Sequence, residues 1–232
     1  MPTSAPLGAR FQPASDNSLL VYFDQRISPA THQQVAKFLR LLELQPITGI
    51  RNLHPAYCSV LIKFDALQFP HDELQALLLP YLDRLDEVCL PEPRQLEIPV
   101  CYGGDYGPDL AEVSTLHGMT PQQAIELHVS ATYLVYFLGF VPGFAYLGGL
   151  PEALVTPRLP TPRRSVPPGS VGIAGYQSGV YPFATPGGWR LLGRTPIAMF
   201  QPGRSAMSLL SLGDRVRFTP ISSEQFVALE SA

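Results

Sequence analysis

Between Ala153 and Gly213 the chain carries no Asp, Glu, Lys or His, yet Arg158, Arg163, Arg164, Arg190, Arg194 and Arg204 all fall there. A guanidinium presents a rigid fork of donors that matches carboxylate or phosphate. The segment therefore admits two readings. One is a cleft for a small anion; the other is a rim of solvated arginines balanced by acids from elsewhere in the fold. Within it, Val171 to Leu191 (VGIAGYQSGVYPFATPGGWRL) is punctuated by glycine and proline at short intervals. Such punctuation excludes a long helix and favours short strands and tight turns that hold backbone groups at fixed places. Tyr176, Gln177, Ser178, Tyr181 and Thr185 would present polar groups from those turns.

His128 is the histidine best placed for chemistry. It ends a predicted helix and immediately precedes Val129 to Pro151, a run without charged residues. An imidazole there suits proton transfer near neutrality. The plainer reading is a core histidine bonded to a backbone carbonyl, since nothing in the sequence shows a partner within hydrogen-bond reach. Asp105, Asp109 and Asp214 are the candidate acids, although Asp109 reads as a first-turn helix residue and Asp214 as a turn residue. His32, His54 and His71 read as structural or solvent-facing, and His117 as a helix C-terminal cap. The sequence shows no P-loop, dinucleotide fingerprint, nucleophile elbow or metal-ligand spacing.

The chain has 232 residues and a formal net charge of -3. That bounds it to one large or two small domains and argues against general nucleic-acid binding. Cys58, Cys89 and Cys101 are scattered, which suits free thiols in a reducing, cytoplasmic compartment. The start, MPTSAPLGARFQP, lacks the charged and apolar regions of a signal peptide. Val129 to Pro151 has the length of a membrane span, but Gly139, Pro142, Gly143, Gly148 and Gly149 split it. It reads instead as two buried strands around a Pro-Gly turn.

These residues need elements to position them. Ser18 to Phe23 is a predicted strand, and Ser28-Pro29 starts a helix to about Leu44. Strands follow at Ile47 to Leu53 and Tyr57 to Phe64. A second helix spans Asp72 to Leu85, which Pro80 should kink or break. With a short strand at Glu87 to Leu90, the order is the ferredoxin-like β-α-β-β-α-β. Pro91, Pro93 and Pro99 mark a change of texture, so a small α/β domain is assigned to 1–93 and a second domain to 94–232. In the second, Pro108-Asp109 opens a short helix that Gly118 closes, and Thr120 with Gln123 forms a capping box. Strands are expected at Leu96 to Tyr102, Tyr133 to Phe140, Ser170 to Ala174, Val180 to Phe183, Ile197 to Phe200 and Asp214 to Thr219. A short terminal helix lies within Ser222 to Ala232. Many short strands with Gly/Pro turns suggest a closed or nearly closed barrel, so the fold class is α+β.

Four stretches carry a resemblance: IPVCYGGDYGPDL at 98–110, ELHVSATYLVYFLGFVPGFAYLGGLP at 126–151, PRRSVPPGSVGIAGYQSGVYPFATPGGWRLLGRTP at 162–196 and GDRVRFTP at 213–220. Together they resemble the family of 5-oxoprolinase B subunits, also called KipI-like or allophanate hydrolase subunit 1. The resemblance implies a cyclophilin-like β-barrel of carboxyltransferase type behind a smaller α/β domain. It implies subunits C and A as partners, with which the family hydrolyses 5-oxo-L-proline to L-glutamate. ATP is the co-substrate of that complex, and the chain alone would be inactive. Residue by residue, His128 in ELHVS matches the histidine of an ELHSS-like motif, with Val129 replacing the first serine. Its implied role is to orient a group or shuttle a proton. Gln177, Tyr181 and the Pro186-Gly187-Gly188-Trp189 turn match positions that resemble a pocket wall. Arg158 and Arg163 would hold the substrate carboxylate or a phosphorylated intermediate. The alternatives within the family are a KipI-like inhibitor of a sensor histidine kinase and the carboxyltransferase partner of a urea or amide carboxylase.

Overall fold

The computed structural model describes residues 9–231. Met1 to Gly8, most of the segment read above for a signal peptide, and Ala232 lie outside the described residues. The chain divides into two compact units at Glu92/Pro93.

The first unit contains β1 (Arg10–Ser15), β2 (Ser18–Tyr22), α1 (Pro29–Leu44), β3 (Ile50–Pro55), β4 (Ser59–Phe64) and α2 (His71–Asp83). Its antiparallel sheet has the order β1-β2-β4-β3. β4 lies between β2 and β3 and pairs antiparallel with both, and α1 connects β2 to β3. The expected last strand is corrected: the chain there makes only a 3-10 turn, Leu85–Glu87. Pro91 and Pro93 follow and cannot donate to a ladder. The free edge of β2 is taken instead by β1, so the order becomes β-β-α-β-β-α. Ser28 caps α1 by accepting from the Thr31 N–H, with Pro29 at the first helical position. Pro80 lies inside α2 without ending it. Its missing N–H forfeits the bond to the Ala76 carbonyl, and only three helical residues follow it. Leu19, Val21, Val60 and Ile62 of the sheet pack against Val35, Phe38 and Leu42 of α1 and Leu74, Leu78 and Leu82 of α2.

The second unit contains β5 (Gln95–Tyr102), α3 (Leu110–Leu116), α4 (Pro121–Ser130), β6 (Tyr133–Leu138), β7 (Ala145–Gly148), β8 (Arg163–Val166), β9 (Ser170–Ala174), β10 (Gln177–Val180), β11 (Thr185–Gly187), β12 (Arg190–Arg194), β13 (Arg215–Pro220) and α5 (Ser223–Glu230). Seven strands close a barrel in the order β10-β7-β6-β13-β5-β12-β9, while β8 and β11 form a separate ribbon. β13 runs parallel to β5; the other barrel pairs are antiparallel. The uncharged run becomes β6 and β7, and no helix among the described residues is long and apolar enough to cross a membrane. The strand expected at Ile197 to Phe200 is a single bridge, Phe200 to Ser208. The strand expected at Val180 to Phe183 lies earlier, as β10. Both parts of the capping box form at Thr120 and Gln123.

Strand alternation gives the barrel wall two apolar faces. Val100, Tyr133, Val135, Leu147, Val171, Ile173, Val180 and Phe218 fill the interior. Phe144, Tyr181, Trp189 and Leu191 form a second cluster on the outside, with Tyr146 against it. Gly179 makes that outer cluster possible: a Cβ there would lie 2.9 Å from the Phe144 ring and 3.1 Å from the Trp189 indole.

Candidate functional site

The last turn of α4 directs His128 into the barrel interior, where it is fully buried. Its ring stacks on Phe218 with centroids 4.7 Å apart. Nδ1 lies 2.8 Å from the Tyr102 hydroxyl and Nε2 lies 3.4 Å from Ser178 Oγ. Burial pushes the Tyr102 phenol up, so it stays protonated and donates to Nδ1. The imidazole proton then sits on Nε2 and points at Ser178, whose hydroxyl donates to the Gly172 carbonyl at 3.3 Å. Tyr133 donates to the backbone carbonyl of His128 at 2.9 Å. Every polar atom of this chain of contacts has a partner, which is what a buried network requires. Burial lowers the His128 pKa to about 3, so the imidazole is neutral throughout the physiological range.

The other candidate residues lie on the outer face. Tyr181 is buried there, edge-on to Phe144 at 5.2 Å and to Trp189 at 6.4 Å. The Trp189 backbone N–H donates to its hydroxyl. A Cβ on Gly187 would come within 2.5 Å of that hydroxyl oxygen, so glycine is needed for the phenol to sit there. The Gly188 carbonyl accepts from the Leu159 N–H at 2.7 Å, which ties the backbone next to Arg158 to the Gly187-Gly188 turn. Burial pushes the Tyr146 and Tyr181 phenols up, and the nearby charge of Arg158 partly offsets this in both. Arg158, Tyr181, Gly187 and Gly188 are thus brought together. Gln177 shares the outer face but starts β10, about 13 Å along the strand from Tyr181. His128 lies behind the wall, on the interior side.

Three of the six arginines are tied into ion pairs. Arg163 pairs with Asp109 at 2.6 Å, Arg190 with Glu112 at 2.6 Å and Arg194 with Glu230 at 3.5 Å. Acids from outside the segment balance these three. Arg158, Arg164 and Arg204 make no ion pair among the described residues. Arg163 is thereby tied down: it also donates to the Trp189 carbonyl at 3.3 Å, while the second Asp109 oxygen accepts from the Leu191 N–H at 2.7 Å. No cluster of His, Cys, Asp and Glu among the described residues would hold a metal.

Tyr146 completes the outer shelf and was not among the sequence candidates. It stands opposite Gly179 in the register of β7 and β10, stacked on Phe137 at 4.5 Å. Strand parity alone would have pointed to it, since it alternates with the inward Ala145 and Leu147. Phe144, Tyr181 and Trp189 are themselves buried, so what this shelf offers beside the unpaired Arg158 guanidinium is the partly exposed Tyr146, a combination that suits a small organic anion with an apolar body.

Residues 9–210 match the carboxyltransferase domain family, subdomain C and D. The chain is 39% identical over 223 residues to the 5-oxoprolinase B subunit of Bacillus subtilis, covering 92% of this chain and 93% of that one. It is 53% identical over 152 residues to the 5-oxoprolinase B subunit of Escherichia coli, covering 63% of this chain and 70% of that one. Among solved structures it is similar to TTHA0988, with a TM-score of 0.78 and 35% identity over 89% of this chain. The match spans only 40% of the longer TTHA0988 chain.

Proposed function

The chain belongs to the carboxyltransferase subdomain C and D family and, within it, to the 5-oxoprolinase B subunits, and from that membership we propose that it is the B component of an ATP-dependent 5-oxoprolinase, hydrolysing 5-oxo-L-proline to L-glutamate together with subunits A and C. The observation that carries this reading is the near full-length identity to the Bacillus subtilis protein. The outer shelf is chemically consistent with it. 5-Oxoproline is a compact lactam with one carboxylate, and the shelf offers an unpaired, exposed Arg158 near the partly exposed Tyr146. Backbone N–H groups of the glycine-rich turns are the donors available to an oxyanion formed on ring opening. ATP enters as co-substrate of the assembled complex.

In this reading His128 is a positioning residue. Through Ser178 it holds the inner side of β10, whose outer side presents Gly179 and leads into Tyr181. Arg163 serves similarly by locking Asp109 to the start of β12.

The test is glutamate release from 5-oxoproline and ATP, with this chain alone and with subunits A and C. Activity is expected only from the full mixture. A silent full mixture sinks the oxoprolinase reading and turns attention to urea-type carboxylation or kinase binding. In the active mixture, Arg158→Ala is expected to raise KM for 5-oxoproline about tenfold to a hundredfold, through loss of a charge-assisted hydrogen bond. Arg164→Ala, also unpaired but not beside the two phenols, serves as the control and should leave KM at the wild-type value. Equal KM values in both variants would place the carboxylate elsewhere.

A further inference from the structure

The turn between β6 and β7 holds the one residue other than glycine with positive φ among those described, Phe140 at 66°. The Val141 N–H donates to the Gly139 carbonyl at 2.8 Å, closing a three-residue ring around Phe140. A γ-turn with positive central φ is the rarer, strained form. Glycine would adopt it freely, and glycines stand nearby at 139 and 143, yet the strained position carries a phenylalanine. Burial does not explain the choice, because Phe140 is 59% exposed. Its ring stands edge-on to Phe144 at 5.6 Å and to Tyr181 at 6.5 Å. Strain retained without burial points to a use for the exposed ring. Tyr181 is the common neighbour: Phe140 leans on it, and the charge of Arg158 acts on it.

We infer that Phe140 is a specificity-determining wall of the shelf, placed by its strained turn to cover the ring methylenes of a compact cyclic carboxylate whose carboxylate pairs with Arg158. This rests on the reading of the shelf as the 5-oxoproline site. An aromatic wall favours the lactam over open-chain glutamate, because the product carries an extra ammonium and an extra carboxylate that the ring cannot solvate.

Phe140→Gly and Phe140→Ala both remove the ring, but only glycine accepts the backbone angle. The glycine variant should therefore melt at a higher temperature than the alanine variant. Both should raise KM for 5-oxoproline about tenfold, with kcat and KM for ATP unchanged. Trp189 is the sole tryptophan of the chain and lies 5.4 Å from Phe144, so its emission gives an independent readout on the full chain alone. Addition of 5-oxo-L-proline should change that emission in the wild type, and both variants should weaken the response. Wild-type KM in both variants of an active mixture overturns the wall and leaves the oxoprolinase reading standing. A silent mixture whose Trp189 response is lost in both variants sinks that reading and keeps the wall. Neither activity nor a Trp189 response from the wild type overturns both. Equal melting temperatures for the two variants would show the turn to be unstrained and also overturn the proposal.

Discussion

Lowering the pH from 7 to 4 is expected to remove about 3 kcal/mol of stability from the barrel unit through His128 alone. The imidazole titrates near 6.5 when unfolded and at about 3 in the sealed interior. The folded pKa is depressed, so between these values the unfolded chain binds more protons. The contribution is therefore complete above pH 6.5 and is lost as pH falls toward 3, with a slope of about 1.4 kcal/mol per pH unit. Urea denaturation at pH 7, 5.5 and 4 would measure it. His128→Gln keeps a donor and an acceptor for Ser178 and Tyr102 but cannot titrate, so its stability should fall less steeply over the same range. Parallel curves for the two proteins would mean that His128 exchanges protons with solvent in the folded state. It would then be available for proton transfer after all.

Asp109→Ala should be the most damaging single truncation near the shelf, at about 3 kcal/mol. The carboxylate is buried and holds two partners, the Arg163 guanidinium and the Leu191 N–H. Its loss leaves a half-buried cation and an orphaned backbone donor. Thermal denaturation followed by circular dichroism should show a drop of about 6 °C or more. Asp109→Asn, which can still accept from Leu191, should fall between the variant and the wild type. A loss under about 1 kcal/mol would mean that water already screens the pair, since surface pairs reach only that value. Arg163→Ala distinguishes the two roles assigned to that residue. A lowered melting temperature with unchanged KM marks a structural latch. A raised KM with unchanged melting temperature marks a substrate ligand.

Local signals were legible in the sequence and long-range ones were not. The start of α1 follows from Ser28-Pro29, and the start of α4 from Thr120 and Gln123, because caps act within one turn of chain. β6 and β7 were legible because glycine and proline interrupt an uncharged run. β1 was missed because RFQPAS is mostly exposed and contains Pro13, so it carries no buried alternation. β12 was missed because RLLGR is short and packs both faces of its leucines against different clusters. The fates of Arg163 and Arg158 could not be told apart, since the acid that claims one of them lies 54 residues away. His128 was correctly placed at a helix end, but which side of a barrel wall that end faces depends on closure of the whole sheet.

That closure has a consequence during synthesis. β5 pairs in parallel with β13, joining Gln95–Tyr102 to Arg215–Pro220 across about 120 residues of chain. Arg94 clasps Asp214 at the same seam. A ribosome adding about 5–20 residues per second would need on the order of ten seconds to supply the second strand after the first. Throughout that interval β5, which carries the apolar Ile98 and Val100, has an unpaired edge on the side that β13 later fills. The nascent barrel is therefore an open sheet with a sticky edge until β13 emerges, and a chain cut short before that strand would stay in that state.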